Sequence, residues 1–553
     1  MRDKLFFFFA YEGLRNRTND AFEAFIDTPQ FRDLIRTARP NSLAATVVSQ
    51  SGVEPRVISL LNRSCSDFNF PAPTPGGVPK CQQVPGGFDL GSPALSLGQY
   101  VPLSADFGLG GGFDGIPDVA FALLENPRST DGNQYVTRVD FNATEKDRFA
   151  FTLFYTPADL FGSDRAAQSR PMADIHSNRL NWNTAFTYIR TFGPTVINEF
   201  RFNITKWGFD EVDSNPEVNF GIPRIEIESF LPTDRLRYGA NRSENTPGVI
   251  GERQIDIRDT LTWIRGNHGL KFGGEYRIDN NNNTGTGGAR PLYSFVRWNF
   301  FNDTPIFEAI NADAEGNPQA NNAPFRSGDL AFFFQDDWKA RPNLTLNLGL
   351  RWEYFEPIKA DQLGNLMLGP NGLTDARIVT DDKLYDSDFD NFGPQLGFAW
   401  SPERFNNKLV LRGGFGVGYD RLANAILANT RANPPNGQRY GLCCGTAVGE
   451  FGSPFVGGQI VYALGSSNDP TSFPRHPGIG GGVNPDTGGP NLGRIEVWGV
   501  QRNLRTSHIL RYSLDAQYEL PWQLVGTLGY QGSRSRQFTR IEPLHLTQPG
   551  IAA

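Results

Sequence analysis

The sequence predicts an all-β protein folded as an antiparallel transmembrane β-barrel. Three observations carry this: side chains that alternate apolar and polar, segments long enough to cross a bilayer, and links that alternate short and long. In residues 344–354, Leu344, Leu346, Leu348, Leu350, Trp352 and Tyr354 share one face, and Thr345, Asn347, Gly349, Arg351 and Glu353 the other. Period two of this kind marks a strand between two different environments. Residues 270–279 oppose Leu270, Phe272, Tyr276 and Ile278 to Lys271, Glu275, Arg277 and Asp279. Residues 255–263 set Ile255, Ile257, Leu261 and Trp263 against Asp256, Arg258, Thr260 and Thr262. In 196–207, Phe200, Phe202 and Ile204 oppose Glu199, Arg201, Asn203 and Thr205. Globular strands usually run about five or six residues. These are closer to the about 9–11 that a tilted strand needs to span a bilayer.

In chain order the expected strands are 3–12, 134–143, 147–156, 179–191, 196–207, 255–265, 269–279, 328–339, 343–355, 393–401, 408–419, 508–519 and 522–532. After the first, they fall into hairpins closed by tight links such as Thr144–Lys146, Gly266–His268 and Ala340–Pro342. Between hairpins the links are long: 13–133, 157–178, 208–254, 280–327, 356–392 and 420–507. A transmembrane barrel produces this parity, with short periplasmic turns and long extracellular loops. A soluble sandwich gives no reason for it. Trp338, Trp352, Tyr354, Trp522 and Tyr530 fall near segment ends, as an interfacial girdle requires, although each also suits a core. Residues 18–38 read as one or two short helices inside the first loop.

Composition agrees. Phe contributes 44 residues and Tyr 16 against 3 Met, while Gly 60 and Pro 39 supply turns. Mean hydropathy is −0.39, and no apolar run approaches the about 18 residues of a transmembrane helix. Alternating barrel strands average to such neutral values. A net charge of −7 leaves no basic surplus for phosphates, so no nucleic-acid partner is expected. The N-terminal MRDKLFFFFAYEGLR resembles a signal peptide, but its apolar core is short and no small-residue cleavage site follows. It reads better as a strand with Leu5, Phe7, Phe9 and Tyr11 on one face.

No chemistry-bearing motif stands out. Gly108–Gly115 superficially resembles a dinucleotide loop, yet neither follows a strand nor opens a helix. His176, His268, His476, His508 and His545 share no catalytic spacing. No catalytic, cofactor-binding or metal-binding residue is therefore assigned, and no enzyme activity is expected. Two smaller readings stay open. Asp386, Asp388 and Asp390, with Asp381 and Asp382 before them, offer alternating oxygens suited to Ca²⁺, but lack the central Gly and final Glu of an EF-hand and equally suit solvated loop acids. Cys65 and Cys81 suit a disulfide in an oxidising compartment, whereas Cys443 and Cys444 suit either a strained vicinal bridge or free thiols. Asn280–Asn283 reads as the start of a loop.

Several stretches together resemble a known family. Residues 3–15, 146–155, 258–276, 334–353, 391–400, 409–420 and 510–535 are similar, in order, to the barrel of Oar-like TonB-dependent receptors. The strongest pieces are Gln335-Asp-Asp-Trp338 leading into Leu346-Asn-Leu-Gly-Leu-Arg351, and Gly529-Tyr-Gln-Gly-Ser533. The resemblance implies a cell outer-membrane transporter, gated by a plug and driven by the TonB complex. Its substrate is bound by loops and its strands contact outer-membrane lipid. It also implies an incomplete barrel, residues 1–553 being its middle. The N-terminal plug, the TonB box and the last strands are expected elsewhere, because thirteen strands fall short of the roughly 22 of this class. The competing reading is a surface-exposed β-rich adhesin without transport.

Overall fold

The computed structural model describes residues 4–541 except 39, 42, 71–80, 91–112, 214–223, 229–230, 232–234, 240–247, 286–291, 297–299, 301–306, 313–320, 323, 407, 425–427, 435–437 and 444–496. Thirteen long strands form one antiparallel meander. They are β1 (Leu5–Asp27), β2 (Val119–Asn142), β3 (Asp147–Gly162), β4 (Ile175–Gly193), β5 (Val196–Asp213), β6 (Gly248–Arg265) and β7 (His268–Gly285), followed by β8 (Phe325–Arg341), β9 (Leu344–Phe355), β10 (Asn391–Trp400), β11 (Leu409–Asp420), β12 (Ser507–Glu519) and β13 (Val525–Arg536). Each pairs with the next. All the expected strands are present. Among the described residues β1 and β13 each pair along one edge only, so the sheet is open.

Register sorts the faces. Leu261, Phe272, Phe334 and Leu350 align across β6–β9, while Arg258, Glu275, Ala331 and Glu353 align on the opposite face. A slip of one residue would exchange these sets, so the pattern pins the pairing. The apolar face is outward: Phe7 is 82% exposed, Phe332 54% and Leu350 47%. The polar face is concave. Arg421, just after β11, pairs with Asp279 on β7 and Asp329 on β8. On a flat sheet those strands would lie about 14–19 Å away, so the sheet curls around its polar side. Short turns close one end, and in the β6–β7 turn Gly266 takes a φ of +58°, a left-handed conformation that glycine adopts at little cost.

Trp352 and Tyr354 fall on the outward face near the loop ends. Trp263, Trp338 and Trp400 fall on it beside the short turns. Tyr530 does not belong to this border, since it pairs with Leu514 midway along its strand.

The strands overrun the membrane. β1 has 23 residues and β2 has 24, roughly 75 Å of chain at about 3.3 Å per residue. A tilted crossing of the hydrocarbon needs less than half of that. The helices expected within 18–38 therefore shrink to α1 (Pro29–Ala38), with a second, α2 (Leu43–Val48), beyond it. Residues 13–27 instead continue β1, because they pair without interruption with 119–133. The Asn280–Asn283 run likewise stays in β7, where Asn281 is buried rather than opening a loop. Thr28 caps α1 by accepting the Phe31 N–H at 3.1 Å, and Pro29 fills the first helical position, where its missing N–H costs nothing.

Above the membrane the loops form a packed cap. Phe25, Phe31, Ile35, Phe88, Ile227 and Phe295 belong to one buried cluster with Val48, Tyr238 and Phe300. A second sheet knits three loops, joining 224–228 to 236–238 and 292–296, then 307–312 and 438–443. The Cys65–Cys81 disulfide is formed at the edge of this core. Cys443 ends one of the small strands, and Cys444 lies outside the described residues.

One buried ion cluster fastens cap to sheet. Asp27, at the end of β1, is 1% exposed and lies between Arg32 of α1 (2.9 Å) and Arg170 of the β3–β4 loop. Arg170 is fully buried. It also donates to Val53 O and to Arg237 O (3.1 Å), and its guanidinium lies 4.4 Å from the Tyr238 ring centre. Gln168 and Ser169, just before it, hold φ of 52° and 54°. Non-glycine residues pay for that conformation, and here the strain aims Arg170 inward.

Arg170→Ala leaves Asp27 short of one partner. It is expected to cost about 3–5 kcal/mol, read as cleavage within 28–118 at protease doses that leave the wild type whole; equal resistance would refute the fastening role. Asp118 supplies a pH test. Burial, aided by nearby Asp89 and Asp114 and opposed by the Leu90 N–H, pushes its carboxyl from 3.8 up to about 9. The proton is held in the fold and released on unfolding. Its stabilisation is therefore complete below about pH 4 and is lost as pH rises through about 9. Asp118→Asn should flatten the decline of cap protection between pH 6 and 9 in hydrogen exchange, and an unchanged slope would count against it.

Candidate functional site

The concave wall carries the densest set of interacting charges. β6 and β7 bring Arg258 and Glu275 together at 2.7 Å, and Glu275 reaches Arg351 of β9 at 3.2 Å. Arg351 also meets Glu353 at 2.8 Å. One layer higher, Arg277 lies 3.2 Å from Asp256 and 3.9 Å from Asp329. Period two delivers these groups to one face, and antiparallel register sets them side by side. All but Asp256 line a hollow of about 430 Å³ with Phe333 and Phe355 at its border. Each acid is met by an arginine, so the wall is polar and hydrogen-bonding without a large net charge of either sign. Such a surface can exchange its internal pairs for contacts with a polar cargo.

A strap crosses above this hollow. Arg421 meets Asp329 at 3.2 Å, and pairs with Asp279 and the Ser327 hydroxyl. Ten residues on, Arg431 lies 4.2 Å from the Phe325 ring centre and donates to Asn281 Oδ1 at 2.7 Å. Asn433, fully buried, donates to Gly364 O and Trp498 O and accepts from Trp498 N. Residues 421–424 and 428–434 thus reach from the end of β11 back to β7 and β8, and 497–506 lie against the hairpin of Lys359–Gly369 and Gly372–Lys383.

The sequence-predicted acidic run is part of this assembly. Arg505 meets Asp388 at 2.9 Å and Asp390 at 3.5 Å, and Thr506 N donates to Asp388. Arg502 meets Asp381 at 2.6 Å and Asp386 at 3.2 Å. These pairs bring positive charge to the run and hold the strap's far end. Among the described residues no group of three His, Cys, Asp or Glu side chains is disposed to hold a metal. The Gly108–Gly112 part of the glycine run lies outside the described residues. His268 and Asp336 do meet, at 2.7 Å, on the outward face beside Trp338. The strap and the Arg170 cluster were beyond sequence reasoning. Arg421 and Asp279 are 142 residues apart, and nothing local marks either as a partner.

A family model described as an outer membrane beta barrel domain matches residues 1–553. The chain belongs to the outer membrane β-barrel family. Its place is the outer membrane, with the apolar face against lipid and the ion-paired wall inside. No curated protein matches this barrel chain in sequence. Among solved structures it is similar to the outer membrane transporter YddB from Escherichia coli, at 11% identity and a TM-score of 0.42, covering 76% of this chain and 41% of that one. It is also similar to a double mutant of the Serratia marcescens hemophore receptor HasR, solved with HasA and heme, at 10% identity and 0.36 over 75% and 50%. The siderophore receptor PirA from Pseudomonas aeruginosa gives 11% and 0.34 over 75% and 52%. The barrel chain spans about half the length of these proteins or less.

Arg421→Ala removes charge-assisted bonds worth about 1.5–3 kcal/mol. Amide exchange across 421–424 and 428–434 should rise tenfold or more, with the β6–β9 amides unchanged. Unaltered exchange would show that the strap does not depend on Arg421.

Proposed function

We propose that this chain forms the barrel wall of a TonB-dependent outer-membrane receptor that captures a substrate at its extracellular cap and passes it along the lumen. The observation that carries the reading is the ion-paired concave wall beneath a folded strap. A structural barrel has no use for so many charges on its inner face, and desolvating them unpaired would be costly. A water-filled or plug-filled lumen accommodates them. The resemblance of the Gln335–Trp338 and Leu346–Arg351 segments to Oar-like receptors supports the same reading, including coupling to the TonB complex through a plug.

The two edges that are free among the described residues support a larger closed barrel containing these strands. In hydrocarbon each unpaired backbone group costs several kcal/mol, so an open edge facing lipid needs a partner. Further strands of the same receptor would supply it.

The test uses the intact gene product in outer membranes. Deleting residues 421–506 should sensitise cells to large antibiotics normally excluded by the outer membrane, and the intact product should bind the periplasmic domain of TonB in pull-down. Unchanged sensitivity together with no TonB binding would reject transport and leave the surface adhesin as the better reading.

A further inference from the structure

We infer that three neighbouring periplasmic turns form a binding surface for the phosphate headgroups of anionic phospholipid in the inner leaflet of the outer membrane. The turns are those joining β6 to β7, β8 to β9 and β10 to β11. They are contiguous: Lys339 N donates to Asn267 O at 2.8 Å, and Ser401 N to Asn343 O at 2.9 Å. Together they span six adjacent strands, an arc of about 24 Å.

The turns of this arc carry Arg265, Lys339, Arg341, Arg404 and Lys408 against Glu403, with Asp336 just above them met by His268 and Glu519 on the next turn beside Lys408, in a chain of net charge −7. All five basic residues are exposed, and none has an ion-pair partner among the described residues. That sets them apart from the arginines of the wall, the strap and the cap, nearly all of which meet a carboxylate. Arg190 on the preceding periplasmic turn is also satisfied, by Asp147 at 2.9 Å, which bounds the surface on that side.

An aromatic stands beside each turn. Trp263, Trp338 and Trp400 occupy the outward face where the lipid-facing band ends. The Arg265 guanidinium lies 5.2 Å from the Trp263 ring centre and that of Arg404 4.7 Å from Phe405. Rings hold these cations at the border of the belt rather than free in water. Above them Phe272, Phe334, Leu350 and Leu396 offer exposed apolar surface for acyl chains. Apolar surface, tryptophan and unpaired cation thus follow one another down the barrel in the order of acyl chain, ester and phosphate in a phospholipid. Net positive charge selects the anionic headgroup over the zwitterionic one.

The test measures phospholipid co-purifying with the intact gene product in mild detergent, by mass spectrometry. The ratio of phosphatidylglycerol to phosphatidylethanolamine should exceed that of the source membrane by about fivefold. It should fall to the membrane ratio when Arg265, Lys339, Arg341, Arg404 and Lys408 are all changed to Gln. A control changing Arg15, Arg17, Arg63, Arg179 and Arg253 to Gln should keep the enrichment. No enrichment in the wild type, enrichment surviving the first set, or equal loss in the control would each overturn the assignment. Should the first variant not fold, the wild type decides alone. Washing in 1 M salt, where the screening length is about 3 Å, should strip most of the phosphatidylglycerol, and retention unchanged by salt would overturn it.

Discussion

A strand in hydrocarbon has no water to satisfy its backbone, so every N–H and C=O must find a partner on a neighbouring strand. The rest of this molecule depends on that ladder. It fixes an unbroken antiparallel order from β1 to β13, and through period two it fixes which side chains meet. Once Phe272, Phe334 and Leu350 align outward, Glu275, Ala331 and Glu353 must align inward. The polar wall is therefore a consequence of the lipid-facing one. What evolution could choose was which polar groups to place there, and it placed arginines opposite acids.

Beyond the bilayer the ladder continues without that compulsion. The upper parts of β1 and β2 pair residue for residue as far as Asp27 and Val119, and there the sheet becomes a platform for the cap. Burial of Phe25, Phe31, Phe88 and Phe295 supplies the cap's cohesion. A hydrophobic core is indifferent to orientation, however. Asp27, held by Arg32 from the helix and Arg170 from the adjoining loop, is the contact that sets how cap and sheet meet. A buried ion pair adds little net stability over an apolar replacement; its contribution is to penalise misplacement.

The number and order of strands were legible because lipid on one side and water on the other write an alternating pattern. Leu344–Tyr354 shows it, and the observed β9 covers the same residues. Where that contrast ends, so does legibility. Asn16, Arg17, Thr18, Asn19 and Asp20 read as loop but belong to β1, because above the membrane neither face needs to be apolar. Arg17 is held there by Asp131, at 2.5 Å, a partner that only the pairing of β1 with β2 reveals. The Asn280–Asn283 run was missed for the same reason. The Asp386–Asp390 run was legible only as oxygens suited to Ca²⁺ or as solvated loop acids, because the arginines that meet it, Arg502 and Arg505, lie more than a hundred residues away.

Strap and wall are built from the same interaction, and this bears on how the mouth could open. Arg421 shares Asp329 with Arg277, so one carboxylate belongs both to the strap's fastening and to the wall beneath. Releasing Arg421 leaves Asp329 with Arg277 still near, so the acid is not stranded without a cation. Arg431, by contrast, is buried over Phe325 with its Nε unpaired, and withdrawing it would return a poorly satisfied cation to water. Asp279, however, has Arg421 as its one ion-pair partner among the described residues, so releasing the strap leaves that partly buried acid to be met by something else. A polar cargo could therefore displace the strap by substitution, supplying to Asp279 the donors that Arg421 withdraws, without first breaking the wall.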